Sequence, residues 1–274
     1  MSSPKSEPPS AIAVARRIAR QFASLPQVEA VALAGSRTST FPDEDSDVDL
    51  YVYLTEDVPH DLRAAIAVGS PHAEIGNATW EPGDEWIDPE TGTSVDVMYR
   101  HLRWIEEQVD RVLVQHQASA GYSTCFWYNV LHSQALFDRS GWFAELQGRA
   151  QVKYPQELRR AIIAKNWPLL RRNQSSYLRQ IELAVKRNDP VSVNHRVAAL
   201  LASYFDVLFA VNEQPHPGEK RLLQHAARLE KLPRELEQQV SAVLESDSAE
   251  VGARTSEMID GLDELLRQAA GVDL

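Results

Sequence analysis

From Asp47 to Leu54 the chain alternates without a break: Val48, Leu50, Val52 and Leu54 share one face, and Asp47, Asp49, Tyr51 and Tyr53 share the other. Successive side chains of a strand point to opposite faces, so the segment reads as a half-buried β-strand with two carboxylates on its polar side. Its apolar side pins the register, because a slip of one residue would turn both acids into the core.

The surroundings extend this strand into a sheet. Ala11 to Ser24 has apolar residues at helical spacing and ends before Pro26, which predicts a first helix. Val28 to Ala34 is a short apolar run that stops at Gly35-Ser36 and is expected as a buried strand. A third strand is expected over His72 to Trp80, and the turn Asp88-Pro89-Glu90-Thr91-Gly92 leads into a fourth, Ser94 to Arg100. Four strands with interspersed helices predict a small mixed sheet.

From Leu102 onward the strand signal is lost. Helical periods cover Ile105 to His116, Tyr122 to Phe137, Pro155 to Trp167, Tyr177 to Lys186, Val191 to Val211, Gly218 to Glu230, Arg234 to Leu244 and Glu257 to Leu266. The expected fold class is α+β: a polar tail over residues 1–10, a sheet domain over 11–118, and an α-helical bundle over 119–274. With 274 residues, 43% of them hydrophobic, the chain can bury a core without help from disulfides, and Cys125 is its only cysteine. The polar start is unlike a signal peptide and no apolar run is long enough for a membrane helix, so a cytoplasmic protein without membrane contact is expected.

The net charge of −11 is unevenly spread. Residues 1–150 carry 11 Lys and Arg against 22 Asp and Glu, whereas residues 151–228 carry 13 basic and 6 acidic residues. A protein that tracks nucleic-acid phosphates needs a basic face, so the acidic first half argues against nucleic acid as substrate.

The chemistry concentrates in Ala34-Gly35-Ser36-Arg37 and, after the ten intervening residues Arg37 to Ser46, Asp47-Val48-Asp49-Leu50. Two like charges this close raise each other's pKa, and a divalent cation is the ordinary means of keeping both ionised. Oxygen-only ligands suit Mg2+, which shares its shell with nucleotide phosphates. Gly35 and Ser36, leaving a strand, let backbone N–H groups and a hydroxyl approach a phosphate. A third acid has the same setting: Val95, Val97 and Tyr99 alternate with Asp96, which faces the other side with Met98 and Arg100. Three acids from two strands can hold two metal ions where a hydroxyl attacks phosphorus and pyrophosphate leaves in line.

These residues resemble the DNA-polymerase-beta-like nucleotidyltransferase superfamily, whose pattern is a glycine-serine pair, a spacer, Asp-hydrophobic-Asp-hydrophobic, and a third acid on a later strand. Leu136-Phe137-Asp138-Arg139-Ser140-Gly141, Tyr154 to Arg159, and Phe205 to Leu223 with its His216-Pro217-Gly218-Glu219-Lys220-Arg221 core are similar to a bacterial group with a helical C-terminal domain, the DUF4037 group. The resemblance spans most of residues 28–230. It implies a catalytic sheet domain like that of the aminoglycoside and lincosamide nucleotidyltransferases, with two Mg2+ on Asp47, Asp49 and Asp96. It does not carry over their substrate; the expected reaction passes AMP, from ATP or another nucleoside triphosphate whose phosphates are met by Gly35, Ser36 and Arg37, to a hydroxyl of a small molecule. A protein acceptor, an antitoxin-like role and a non-catalytic nucleotide-binding module remain alternatives, and monomer and homodimer are both open.

Lys220 and Arg221 are expected in the first turn of a helix opened by Pro217, where cations sit badly unless an anion such as the triphosphate joins them. Glu74, Glu81 and Glu85 are candidates for the general base, with Glu74 favoured for its strand position and Asp96 as another possibility. Tyr122, Phe126, Trp127 and Tyr128 read as helix packing. The histidines show no metal-ligand spacing.

Overall fold

A computed structural model describes residues 10–35, 47–70, 72–78 and 81–270. The chain divides into two compact units, Met1–Val109 with Asn129–Val152 and Asp110–Tyr128 with Lys153–Leu274. The fold is α+β: a six-stranded mixed sheet, and helices that dominate the second half of the chain.

In the first unit the described elements include α1 (Ala11–Ala23), β1 (Val28–Leu33), β2 (Val48–Leu54), α2 (His60–Ile66), β3 (Glu74–Asn77), β4 (Gly83–Ile87) and β5 (Ser94–His101). After α3 (Leu102–Leu113) and α4 (Cys125–His132), the chain adds β6 (Gln134–Asp138) and α5 (Trp142–Ala150) to it. The strand order is β3-β4-β5-β2-β1-β6, and β2 and β5 run parallel while the other neighbours are antiparallel. Ser10 accepts a hydrogen bond from the Ala13 N–H and caps α1, whose Val14, Ala15, Ile18, Ala19 and Phe22 form one buried stripe. That stripe belongs to the same core as Leu33, Leu50, Val52, Val95 and Val97. Ala30 and Ala32 sit on the other face, where Phe143 of α5 stacks on Tyr53 with ring centroids 5.1 Å apart.

Two carboxylates are buried on the helix-covered side, and each meets an arginine. Asp84 accepts from Arg63 of α2 (3.1 Å), from the Gly76 N–H (2.7 Å) and from the Tyr99 hydroxyl. Asp88 accepts from Arg17 of α1 and from the Thr91 N–H and hydroxyl. Removing either arginine would leave a desolvated charge uncompensated.

The sheet has six strands where the sequence predicts four. The segment expected as one strand over His72 to Trp80 holds only β3, and a return strand, β4, pairs between it and β5. Glu81-Pro82-Gly83-Asp84 has the composition of a turn, yet Gly83 lies in the ladder because a Cβ there would meet the Val97 carbonyl oxygen at 2.7 Å. The helix expected over Tyr122 to Phe137 ends at His132, and β6 follows. Arg139 holds this edge strand from its end, donating to the carbonyls of Val28 (3.0 Å), Ala23 (3.0 Å) and Leu25 (2.9 Å). Asp138 accepts the N–H groups of Phe143 (3.2 Å) and Ala144 (2.9 Å) at the start of α5. The Leu136 to Gly141 motif thus has a structural job.

The second unit is built on α6 (Gln156–Arg171), α7 (Tyr177–Lys186), α8 (Pro190–Val211), α9 (Leu222–Ala226), α10 (Leu236–Leu244) and α11 (Val251–Ala270). Every residue of α8 from Ala202 to Val211 is buried, so this helix forms the axis of the core. The helix expected over Gly218 to Glu230 is only the five-residue α9. His216 explains the delay: its N–H donates to Thr124 Oγ1 (2.7 Å), and its Nδ1 accepts from the Gly218 N–H (3.1 Å) at a glycine with φ +108°. Pro217 to Lys220 therefore precede the helix, and Arg221 sits at φ +55°. The expectation that Lys220 and Arg221 occupy a helical first turn is overturned by this loop.

Asp206 of α8 is a buried carboxylate with three donors: the Ser123 N–H (3.0 Å), the Ser123 hydroxyl (2.6 Å) and Asn166 Nδ2 (3.0 Å). Burial pushes its pKa up to about 6, against those hydrogen bonds, which pull it down. Asn166 in turn accepts from the Gly121 N–H (2.8 Å), so one network fastens the loop before α4 to α6 and α8. Asp206→Ala should cost on the order of 3 kcal/mol, because it strands three buried donors at once. Urea unfolding followed by far-UV circular dichroism checks this, and a loss below about 1 kcal/mol would show that the donors find other partners.

Candidate active site

The parallel pairing of β2 with β5 sets Asp49 directly beside Asp96. Register partners share a face, and the row continues outward: Asp96 is opposite Glu85 on β4, and Glu85 opposite Glu74 on β3. Four carboxylates thus lie in line across four strands, with Asp47 two residues before Asp49 on the same face. Asp47 is exposed, and Asp49 and Asp96 are half-buried.

Gly35, just past β1, closes one side of the site. It lies at φ +65°, and a Cβ built there would stand 1.7 Å from Asp49 Oδ2 and 2.6 Å from Asp49 Cγ. The carboxylate occupies the space that any other residue's side chain would take. The Ala34 N–H donates to the Asp49 carbonyl at 2.9 Å, which holds the chain end against β2. Ser36 and Arg37, the other expected phosphate contacts, lie outside the described residues.

The electrostatics follow from the register. Burial, then the charges of Asp49, Glu85, Asp47 and Glu81, push the Asp96 carboxyl up to about 6. Glu81 has a cation of its own: Arg100 donates to both of its oxygens, each at 2.9 Å. The same guanidinium lies 3.7 Å from the centre of the Tyr51 ring. Burial raises the Tyr51 pKa, with Arg100 opposing it, so this phenol stays protonated at neutral pH. Glu81 is thereby engaged, and Glu85 is the glutamate next to Asp96. Glu74 stands two strand spacings from Asp96, about 10 Å between backbones. Asn77 Nδ2 donates to Glu85 Oε1 at 2.7 Å and steadies that side chain.

Oxygen donors on adjacent strands, one with its pKa raised by burial and by its neighbours' charge, fit a hard divalent cation in chemistry. Among the described residues no three histidine, cysteine or carboxylate side chains are arranged as a metal-holding group. The fixed part of such a site is the Asp49–Asp96 register pair, and the rest depends on side-chain torsions.

Lys220 and Arg221 belong to the second unit, Lys220 exposed and Arg221 half-buried. Trp127 is buried as expected of helix packing, while Tyr122 is 40% exposed and meets the His216 ring edge-on. No described helix is long and apolar enough to cross a membrane. Sequence reasoning missed the Arg100–Glu81 pair, although it set Arg100 on the face of Asp96. The missing signal was β4, which carries the chain from Glu81 back to β5.

Residues 127–222 match DUF4037, a domain of unknown function. No curated protein matches the sequence. The crystal structure of a nucleotidyltransferase-like protein from Exiguobacterium sibiricum 255-15 is similar at 12% identity, over 92% of this chain and 73% of that one, with a TM-score of 0.43.

Two outcomes follow from the Gly35–Asp49–Asp96 geometry. Gly35→Ala should cost about 1 to 3 kcal/mol, and less in an Asp49→Ala background, where only the Cβ at 3.0 Å remains in its way. A double-mutant cycle with no coupling between the two positions would refute the contact. The Asp96 carboxyl has a folded-state pKa above its ordinary 3.8, so its contribution is favourable below pH 3.8 and is lost as pH rises through about 6. Asp96→Asn should accordingly stabilise the metal-free protein above pH 6 by on the order of 1 kcal/mol, allowing for solvent screening of a half-exposed group, and leave it unchanged near pH 4. Thermal melts in EDTA across that range measure the difference.

Proposed function

We propose that the protein is a nucleotidyltransferase that moves a nucleoside monophosphate, AMP from ATP, to a hydroxyl of a small molecule and releases pyrophosphate. The observation that carries this reading is the parallel register that pairs Asp49 with Asp96 while the backbone of Gly35 abuts the Asp49 carboxylate. A glycine at a strand end beside two paired acids suits a phosphate chain, because nothing projects from Gly35 to block its approach.

In the reaction a bond forms between the acceptor oxygen and the α-phosphorus, and the bond from that phosphorus to the bridging oxygen of pyrophosphate breaks. Asp47, Asp49 and Asp96 would hold Mg2+, which when bound supplies positive charge against the phosphates and the leaving pyrophosphate. Gly35, with Ser36 and Arg37 beyond it, orients the triphosphate. Asp96 Oδ accepts the proton of the acceptor hydroxyl, from its place beside Asp49 on the open face of the sheet. Arg100, tied to Glu81 and lying over Tyr51, keeps the floor of the site in place. The acidic row from Asp49 to Glu74 favours an acceptor that carries positive charge, through electrostatic steering.

ATP labelled at its α-phosphate, incubated with Mg2+ and a panel of hydroxyl-bearing amines, tests the proposal. Label should pass to at least one small molecule with equal release of pyrophosphate, and Asp49→Asn should lower the rate by about a thousandfold while the protein stays folded. Label that remains in ATP across the panel, or an Asp49→Asn protein as active as the parent, would sink it.

A further inference from the structure

The helical unit holds a cavity of about 450 Å³ where α6 ends and α7 begins, and Arg171, Arg172, Gln174, Ser176, Arg179 and Glu182 contribute to its lining. Three kinds of donor meet there. Ser176, the residue before α7, is 1% exposed, and its own N–H and C=O are satisfied by the Asn173 carbonyl and the Gln180 N–H, each at 3.0 Å. Its side chain makes no capping bond, so a buried hydroxyl that lines the cavity has no partner among the described residues. Beyond it, Leu178 and Arg179 of the lining carry N–H groups at the start of a ten-residue helix, with no carbonyl of that helix behind them to bond to. The helix dipole adds positive potential at the same point.

The arginines divide into two kinds. Arg171 is committed to Asp260 (2.6 Å) and Asp263. Arg172 lies 3.8 Å from the Trp167 ring centre, and Arg179 donates to Gln174, and neither pairs with a carboxylate among the described residues. Two guanidinium charges thus stand against the single carboxylate of Glu182 in the lining. Stacking on Trp167 and bonding to Gln174 restrict both forks without neutralising them, which lowers the entropy lost when an anion is gripped.

We infer that this cavity is a binding site for a phosphate group, free or esterified to a small polar molecule. A tetrahedral dianion accepts several hydrogen bonds at once, and helix amides, a hydroxyl and two planar forks supply them from different directions. A carboxylate would use fewer of these donors. Nothing in this inference depends on the nucleotidyl-transfer reading.

Isothermal titration of the full chain in EDTA at fixed ionic strength, with inorganic phosphate and with a hexose monophosphate, tests it. Omitting divalent cations keeps the sheet site from competing for either probe. At least one probe should bind, with affinity about tenfold or more lower in Arg172→Ala/Arg179→Ala and about threefold or more lower in Ser176→Ala. Melting curves of both variants should overlay the parent, since the two arginines are exposed and the serine hydroxyl makes no bond. Tighter binding of the ester supports the site and assigns it to a phosphorylated metabolite, and equal binding supports it and assigns it to free phosphate. Failure of both probes to bind, or unchanged affinity in both folded variants, would overturn the inference.

Discussion

The site depends on one parallel pairing. β2 and β5 are joined by a long excursion through α2, β3 and β4, and their register from Val48–Val95 to Leu54–His101 is what sets Asp49 beside Asp96. The alternation of both strands enforces it: a slip of one residue would set Val48 or Leu50 among the acids and bury a carboxylate under α1. The pull that holds the row of like charges together is therefore the burial of Leu50, Val52, Val95 and Val97 on the opposite face.

The two faces of the sheet treat acids differently. Asp84, buried behind the sheet, is met by an arginine from α2, and Asp88, at the end of β4, by one from α1. On the open face Glu81 is met by Arg100 from within the sheet, while the charges that act on Asp96 and raise it are those of other carboxylates. The fold thus supplies cations where acids serve structure. Along the Asp49–Asp96 row it leaves electrostatic tension that a bound cation or a cationic substrate would relieve.

Much of this is legible in the sequence. The alternation in β2 and β5 revealed both strands, the polar face and the company of Asp96 with Arg100, because period-two patterning on a half-buried strand is a direct imprint of its environment. β4 and β6 are not legible there, for opposite reasons. Gly83-Asp84-Glu85-Trp86-Ile87 buries an acid whose partners, Arg63 and Tyr99, are distant in sequence, so its pattern looks like a turn. Gln134 to Asp138 is an edge strand without alternation, held by Arg139 from outside its own span. α9 was misjudged because the bond from Gly218 to the His216 ring is a local tie that propensity does not see. Ser176 and the cavity before α7 lacked any motif, since an uncapped helix start is recognisable only once its neighbours are in place.

The position of β6 in the chain bears on how this protein is made. A ribosome releases β1 early, but the strand that covers its outer edge lies a hundred residues later, together with the Arg139 that receives the last carbonyls of α1 and the loop after it. Until that segment emerges, β1 presents a row of bare amides and carbonyls, and Ala23 and Leu25 lack their donor. The outer edge of β1 is therefore the last part of this sheet whose cover is synthesised.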